Sequence, residues 1–343
     1  VVLKLLIVYI LTIFAFDKLK LYGILLLAVA CIIRIAYGFY CKRNFKECTY
    51  HLTFDKTLLK EMTGFAGWNF IGSLAGVLRD QGVNIVINLF CGPVINAARA
   101  IAFQVNIAVN GFAANFMTAI NPQITKSYAS GDYPYMLALI RNGARFSFYL
   151  LLLLSLPIII ETNTILTLWL KNVPEYTAVF VRLVLIFAMC EALSGTQITA
   201  LQATGNIRNY QLVVGTIQIL NFPISYLLLD RGHAPETTMY VAICLSLGCL
   251  FARLWFLHRQ VEISMKSFFT QVLLNVCSVA VLAAICPMIV TRLMNAGILR
   301  LFVVSGVCAV TTLIVIYYVG LSFQERIFVQ KKIIARIKQK CSV

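Results

Sequence analysis

The sequence predicts an all-α integral membrane protein of about ten transmembrane helices, and three observations lead there. Hydrophobic residues make up 60% of the 343 and charged residues only 12%, where a soluble domain carries about 25% charged residues. Apolar stretches of about 20 residues, enough to cross a hydrocarbon core as a helix, recur along the whole chain. No period-two alternation competes with them, so a helical bundle rather than a barrel satisfies the backbone in lipid.

Taken in order, the candidate helices are 1–16, 21–40, 65–90, 94–119, 142–160, 176–200, 208–229, 237–257, 268–290 and 298–320. The chain opens on Val1-Val2 inside an apolar run, with no initiating Met and no charged leader region, so it reads as the later part of a longer protein. Between the second and third helices, 41–64 is polar and mixed in charge, with Phe54, Leu58, Leu59 and Met62 at helical spacing. This stretch is read as a cytoplasmic amphipathic linker between two lobes. Cys91-Gly92-Pro93 reads as a tight turn, and Asn121-Pro122 as the stop of the fourth helix. The tail, 321–343, sets isoleucines among six basic residues and reads as lying along the inner membrane surface.

Basic residues set the orientation. Of 29 Lys and Arg, sixteen fall on the side that includes the C-terminus, six on the other side and seven within helices. That bias predicts a cytoplasmic C-terminus. The net charge of +16 is spread over short loops and the tail rather than gathered on one soluble face, so it indicates anionic lipid and not nucleic acid. Of the 11 cysteines, seven lie in apolar segments and none forms a CxxC pair, so they read as small buried hydrophobes. The three histidines sit in or beside loops. No metal set, cofactor pattern or catalytic pair emerges. Arg141, Arg145 and Arg182 read as snorkelling toward lipid phosphates.

The segment 65–128 stands out, because its two apolar helices carry Arg79, Asp80, Gln81, Asn84, Arg99, Gln104, Asn106 and Asn110. Such side chains are expensive in lipid and must face protein or water. On an ideal helix Asn69, Ser73, Gly76, Asp80 and Asn84 fall within about 80° of one another, and Asn96, Arg99, Phe103, Asn106 and Asn110 share one face of the next helix. Hydrogen bonds between helices would explain each amide singly; two consecutive stripes with three charges favour a hydrated cavity. Across the Gly92 turn, residues whose numbers sum to about 184 lie at equal depth, which leaves Arg99 offset from Asp80 by roughly 7 Å. An Arg99–Asp80 pair is therefore left open. Glu191, mid-helix with Ser194, Gly195 and Gln202 near its face, is either a proton or cation site or an internally paired carboxylate.

The runs CGPVINAARAIAFQVNIAVNGFAANFMTAINPQITKSYASGDYPYM (91–136), LLLLLSLPIIIETNTILTLWLKNVPEYT (150–177) and LQATGNIRNYQ (201–211) resemble the Wzx-type polysaccharide-biosynthesis flippases of the multidrug/oligosaccharidyl-lipid/polysaccharide exporter superfamily. The resemblance implies two six-helix lobes and two additional C-terminal helices. On that scheme 1–40 ends the first lobe, 65–257 is the complete second lobe and 268–320 the additional pair. About four helices of the first lobe would be missing. The implied cargo is an undecaprenyl-pyrophosphate-linked oligosaccharide, moved from inner to outer leaflet of a bacterial inner membrane by alternating access, with proton or sodium coupling. Polysaccharide-assembly proteins are the implied partners, besides membrane lipids. The substrate-cavity candidates are then Arg79, Asp80, Asn84, Arg99, Asn106, Asn110 and Asn69, and the coupling-ion candidates Asp80 and Glu191. Within the same superfamily, a multidrug or organic-cation exporter is the alternative. A membrane-embedded polymerase or acyltransferase would need an acid/base pair or a large outer loop, and the sequence offers neither.

Overall fold

A computed structural model describes residues 18–45, 54–170, 172–327 and 330–331. The predicted helix 1–16 and most of the basic tail lie outside these residues. The described chain is all α-helix, without a strand. Eight of its helices are long and apolar enough to cross a membrane, so this is a multi-pass membrane protein. The chain divides into two units, Val1–Glu61 and Met62–Val343.

In the first unit, α1 (Lys18–Asn44) exposes apolar side chains along its length, among them Ile24, Leu27, Ile35 and Phe39. The next helix, α2 (Lys56–Cys91), begins in the first unit and continues into the second. Its start is capped by the Asp55 carboxylate, which accepts from the Thr57 amide at 2.8 Å and the Leu58 amide at 3.2 Å. The helix thus starts at Lys56 rather than Phe65, and Leu58, Leu59 and Met62 belong to its exposed first turns, not to a separate linker helix. At about 1.5 Å per residue, its 36 residues exceed a hydrocarbon core of about 30 Å. Its polar stripe lowers its hydropathy, and it is not one of the eight.

Gly92, at φ +82°, makes the predicted tight turn into α3 (Pro93–Ala129), where Pro93 takes a first-turn position that needs no N–H. Contrary to the sequence reading, Pro122 does not stop this helix but lies inside it. Membrane helices tolerate an internal proline better than soluble ones. Beside this one the Thr199 hydroxyl donates to the Asn121 side chain at 3.0 Å and ties this part of α3 into the bundle.

Asp132 caps α4 (Tyr133–Ile160), whose Met136, Ile140, Ala144, Leu151 and Leu152 form the centre of the core. A short α5 (Thr162–Trp169) follows. Next come α6 (Thr177–Ala203), α7 (Arg208–Asp230), α8 (Thr237–Val261), α9 (Met265–Leu293) and α10 (Ile298–Gly320). Two carry an internal turn, α6 at Leu193-Ser194 and α7 at Leu220, with the backbone still in the right-handed helical region at each. The bundle is built on α4 and α6, the most deeply buried helices, with α3 against both, α8 against α6 and α7, and the α9–α10 pair against α4.

That last contact carries ion pairs at both ends of α10. Beyond the end of α4, Glu161 lies fully buried, with Arg300 Nε 2.8 Å from Oε1 and Nη2 donating to Oε2 at 3.0 Å. At the other end Arg145 donates to Glu325 at 2.6 Å, to Asn142 at 3.0 Å and to the Gly320 carbonyl at 3.4 Å. The π turn 316–320 loosens the backbone there, and the Tyr149 hydroxyl and Asn275 amide satisfy the Gly320 and Val319 carbonyls. Arg145 is therefore a buried tie between helices rather than a snorkelling side chain. Arg182 likewise turns inward, to the Ile159 carbonyl, and Arg141 to Ser267. The cysteine reading holds only in part: Cys249 and Cys308 are buried, whereas Cys31, Cys244, Cys277 and Cys286 are exposed on apolar helices, where lipid accepts a thiol as readily as a core does.

Candidate functional site: two polar cavities in the helical bundle

The structure separates the sequence-selected residues into three groups. The first lies where α2 approaches α3. Arg79 pairs with its neighbour Asp80, Nε to Oδ1 at 2.9 Å and Nη2 to Oδ2 at 3.3 Å, and stacks on Phe187 with 5.3 Å to the ring centroid. Arg99, only 4% exposed, reaches Asn84 and lies 4.6 Å from the Phe103 centroid. Asn84 in turn donates to Gln81 at 3.2 Å. Residues 84 and 99 sum to 183, so this contact is consistent with the equal-depth rule, though the sequence reading weighed Arg99 only against Asp80. The bond to Asp80 that the sequence left open is instead made by Arg79. The Nε of Arg99 is buried and has no acceptor among the described residues.

The second group surrounds a cavity of about 410 Å³ between α3, α4 and α6. Asn106 and Asn110 line it from α3, Ser147 from α4, and Glu191 and Gly195 from α6. The buried Asn106 Oδ1 has no partner among the described residues. Glu191 is anchored on one oxygen by the Ser246 hydroxyl of α8. The carboxylate read as a separate feature therefore belongs with the second polar stripe, and it stands immediately before the turn in α6. Its partner is a neutral hydroxyl, which leaves its charge facing the cavity.

The third group was only partly visible in the sequence. Asn69 and Ser73 of α2 line a cavity of about 200 Å³ together with Gln202, Gln211, Gln218 and Arg253. The Asn69 side-chain oxygen accepts from Gln202 at 3.2 Å and from Gln211 at 3.3 Å, bridging α2 to α6 and α7. Gly72 permits this approach, since a Cβ there would lie 2.1 Å from Gln211 Oε1. Arg253 is 2% exposed and faces the Tyr210 hydroxyl. The available signal for this group was the presence of Arg253 in an apolar helix and of Gln218 three residues from Asn221, but not their convergence.

The expected single cavity between α2 and α3 is thus two cavities, one lined by Asn106 and Asn110 of the second stripe and the other by Asn69 and Ser73 of the first, each with more distant helices, while Asp80, Asn84 and Arg99 line neither. One is led by a carboxylate and the other by a guanidinium. Among the described residues, no group of three or more His, Cys, Asp or Glu is placed to hold a metal ion. Comparison with protein-family models gives no match, and comparison with curated proteins gives none either.

Proposed function

We propose that this chain is part of a transporter, and that its cargo is a polyprenyl-pyrophosphate-linked oligosaccharide carried from the inner to the outer leaflet of a bacterial inner membrane. The observation that carries this reading is the polar cavity lined by Asn106, Asn110, Ser147 and Glu191, within an otherwise apolar bundle. Polar and charged side chains at membrane depth are expensive unless they face protein or a water-filled cavity, and such cavities mark substrate and ion paths. The resemblance to Wzx-type flippases supplies the cargo class. Arg99, with a free Nε, suits a phosphate oxygen. Asn106 and Asn110 offer amides to sugar hydroxyls, whereas Asn69 is taken up by Gln202 and Gln211, and the lipid tail stays in the bilayer. On this reading the protein is not an enzyme, and its C-terminus is cytoplasmic.

The test is deletion of the gene, followed by identification of the lipid-linked intermediates on the inner leaflet. Accumulation of a glycosylated polyprenyl pyrophosphate there supports the reading, and unchanged surface polysaccharide contradicts it.

One observation favours a second reading. Glu191 presents its carboxylate to the larger cavity, which suits an ion-coupled exporter of organic cations. That reading predicts that Glu191→Gln abolishes protection against cationic drugs and leaves glycan export intact.

A further inference from the structure

The cavity around Arg253 holds a charge that the transport reading does not use. The Arg253 side chain is 2% exposed, and its Nε and Nη1 meet no acceptor among the described residues. None of the residues lining the cavity is a carboxylate. Of the carboxylates on the neighbouring helices, Asp80 is paired with Arg79, and Glu191 opens on the other cavity. A guanidinium cannot discharge by losing a proton, so burial leaves it in need of a negative partner. The rest of the lining is suited to one. Ser73 carries a hydroxyl, the Tyr210 hydroxyl faces the guanidinium, and Gln202, Gln211 and Gln218 carry amide donors.

We propose that this cavity is an internal anion site, occupied by one small inorganic anion of the size of chloride that serves as the counter-ion of Arg253. At about 200 Å³ it is half the size of the Glu191 cavity and too small for a glycosylated pyrophosphate. The ion would sit where α2, α7 and α8 meet, and its binding would hold α2 against the other two. This site is independent of the cargo and stands for either transport reading.

Thermal unfolding of the full-length protein in detergent tests it, in sodium chloride against sodium gluconate at equal ionic strength. Wild type is expected to unfold about 2 °C or more higher in chloride, with a saturating dose dependence. Gln218→Glu places a carboxylate in the same cavity at nearly unchanged shape. It is expected to be as stable in gluconate as wild type is in chloride, and to lose the chloride response. Arg253→Gln should also lose the response; if that variant does not fold, Gln218→Glu decides. Arg99→Gln should retain it. Equal unfolding of wild type in both salts overturns the site, as does an undiminished response in Gln218→Glu or a response abolished by Arg99→Gln.

Discussion

The contact between α4 and α10 and the cavities among α2, α3, α6, α7 and α8 use the same ionisable residue types to opposite ends. At α4–α10 each charge meets its opposite: Glu161 takes two nitrogens of Arg300, and Arg145 takes Glu325 with a backbone carbonyl. In the cavities Glu191 meets a hydroxyl and Arg253 a phenol, and between α2 and α3 Arg99 meets an amide. Closed pairs hold helices together, whereas charges with neutral partners stay available to something that arrives. The first arrangement is a fastening and the second a site.

Substitutions at the fastening should affect stability most. Arg300→Ala strands the fully buried Glu161 and is expected to destabilise the protein by about 3–5 kcal/mol, while Glu161→Gln with Arg300→Gln should recover more than half of that. Chemical unfolding in detergent measures both, and a loss under about 1 kcal/mol for Arg300→Ala would remove the distinction. Glu325→Gln should matter less, about 1 kcal/mol, because the amide oxygen still accepts from Arg145 and this position is 21% exposed. Gly72→Ala forces Gln211 from Asn69, and the lost hydrogen bond should also amount to about 1 kcal/mol. Smallest of all for stability is Glu191→Gln, expected to change unfolding by less than about 1 kcal/mol, since an amide still accepts from Ser246. A large destabilisation there would turn Glu191 into a structural residue.

Much of the fold was legible in the sequence, because a hydrophobic span announces itself by length. Helix ends were less so. Pro122 is a breaker in water, yet α3 carries it inside the bundle, and the polar turns from Lys56 look like a linker until Asp55 is seen to cap them. The site was legible as faces but not as partners. Helical periodicity placed Asn106 and Asn110 together, and the observed contact of Arg99 with Asn84 agrees with the equal-depth rule without having been read from it. Asn69 meets Gln211 across 142 residues and Arg145 meets Glu325 across 180, contacts that no local pattern encodes. Arg145 was misread for that reason: near a helix end with no acid beside it in sequence, a buried arginine looks like a snorkelling one.

The most direct test of the transport account is glycan export by the full-length protein carrying Arg99→Ala, with lipid-linked repeat units at the inner leaflet and polysaccharide at the surface measured together in a strain lacking the native copy. The account predicts normal membrane insertion, accumulation of the lipid-linked unit and a loss of surface polysaccharide of about tenfold or more, the equivalent of about 1.4 kcal/mol of lost interaction with the cargo phosphates. Normal surface polysaccharide with no accumulated intermediate would contradict it.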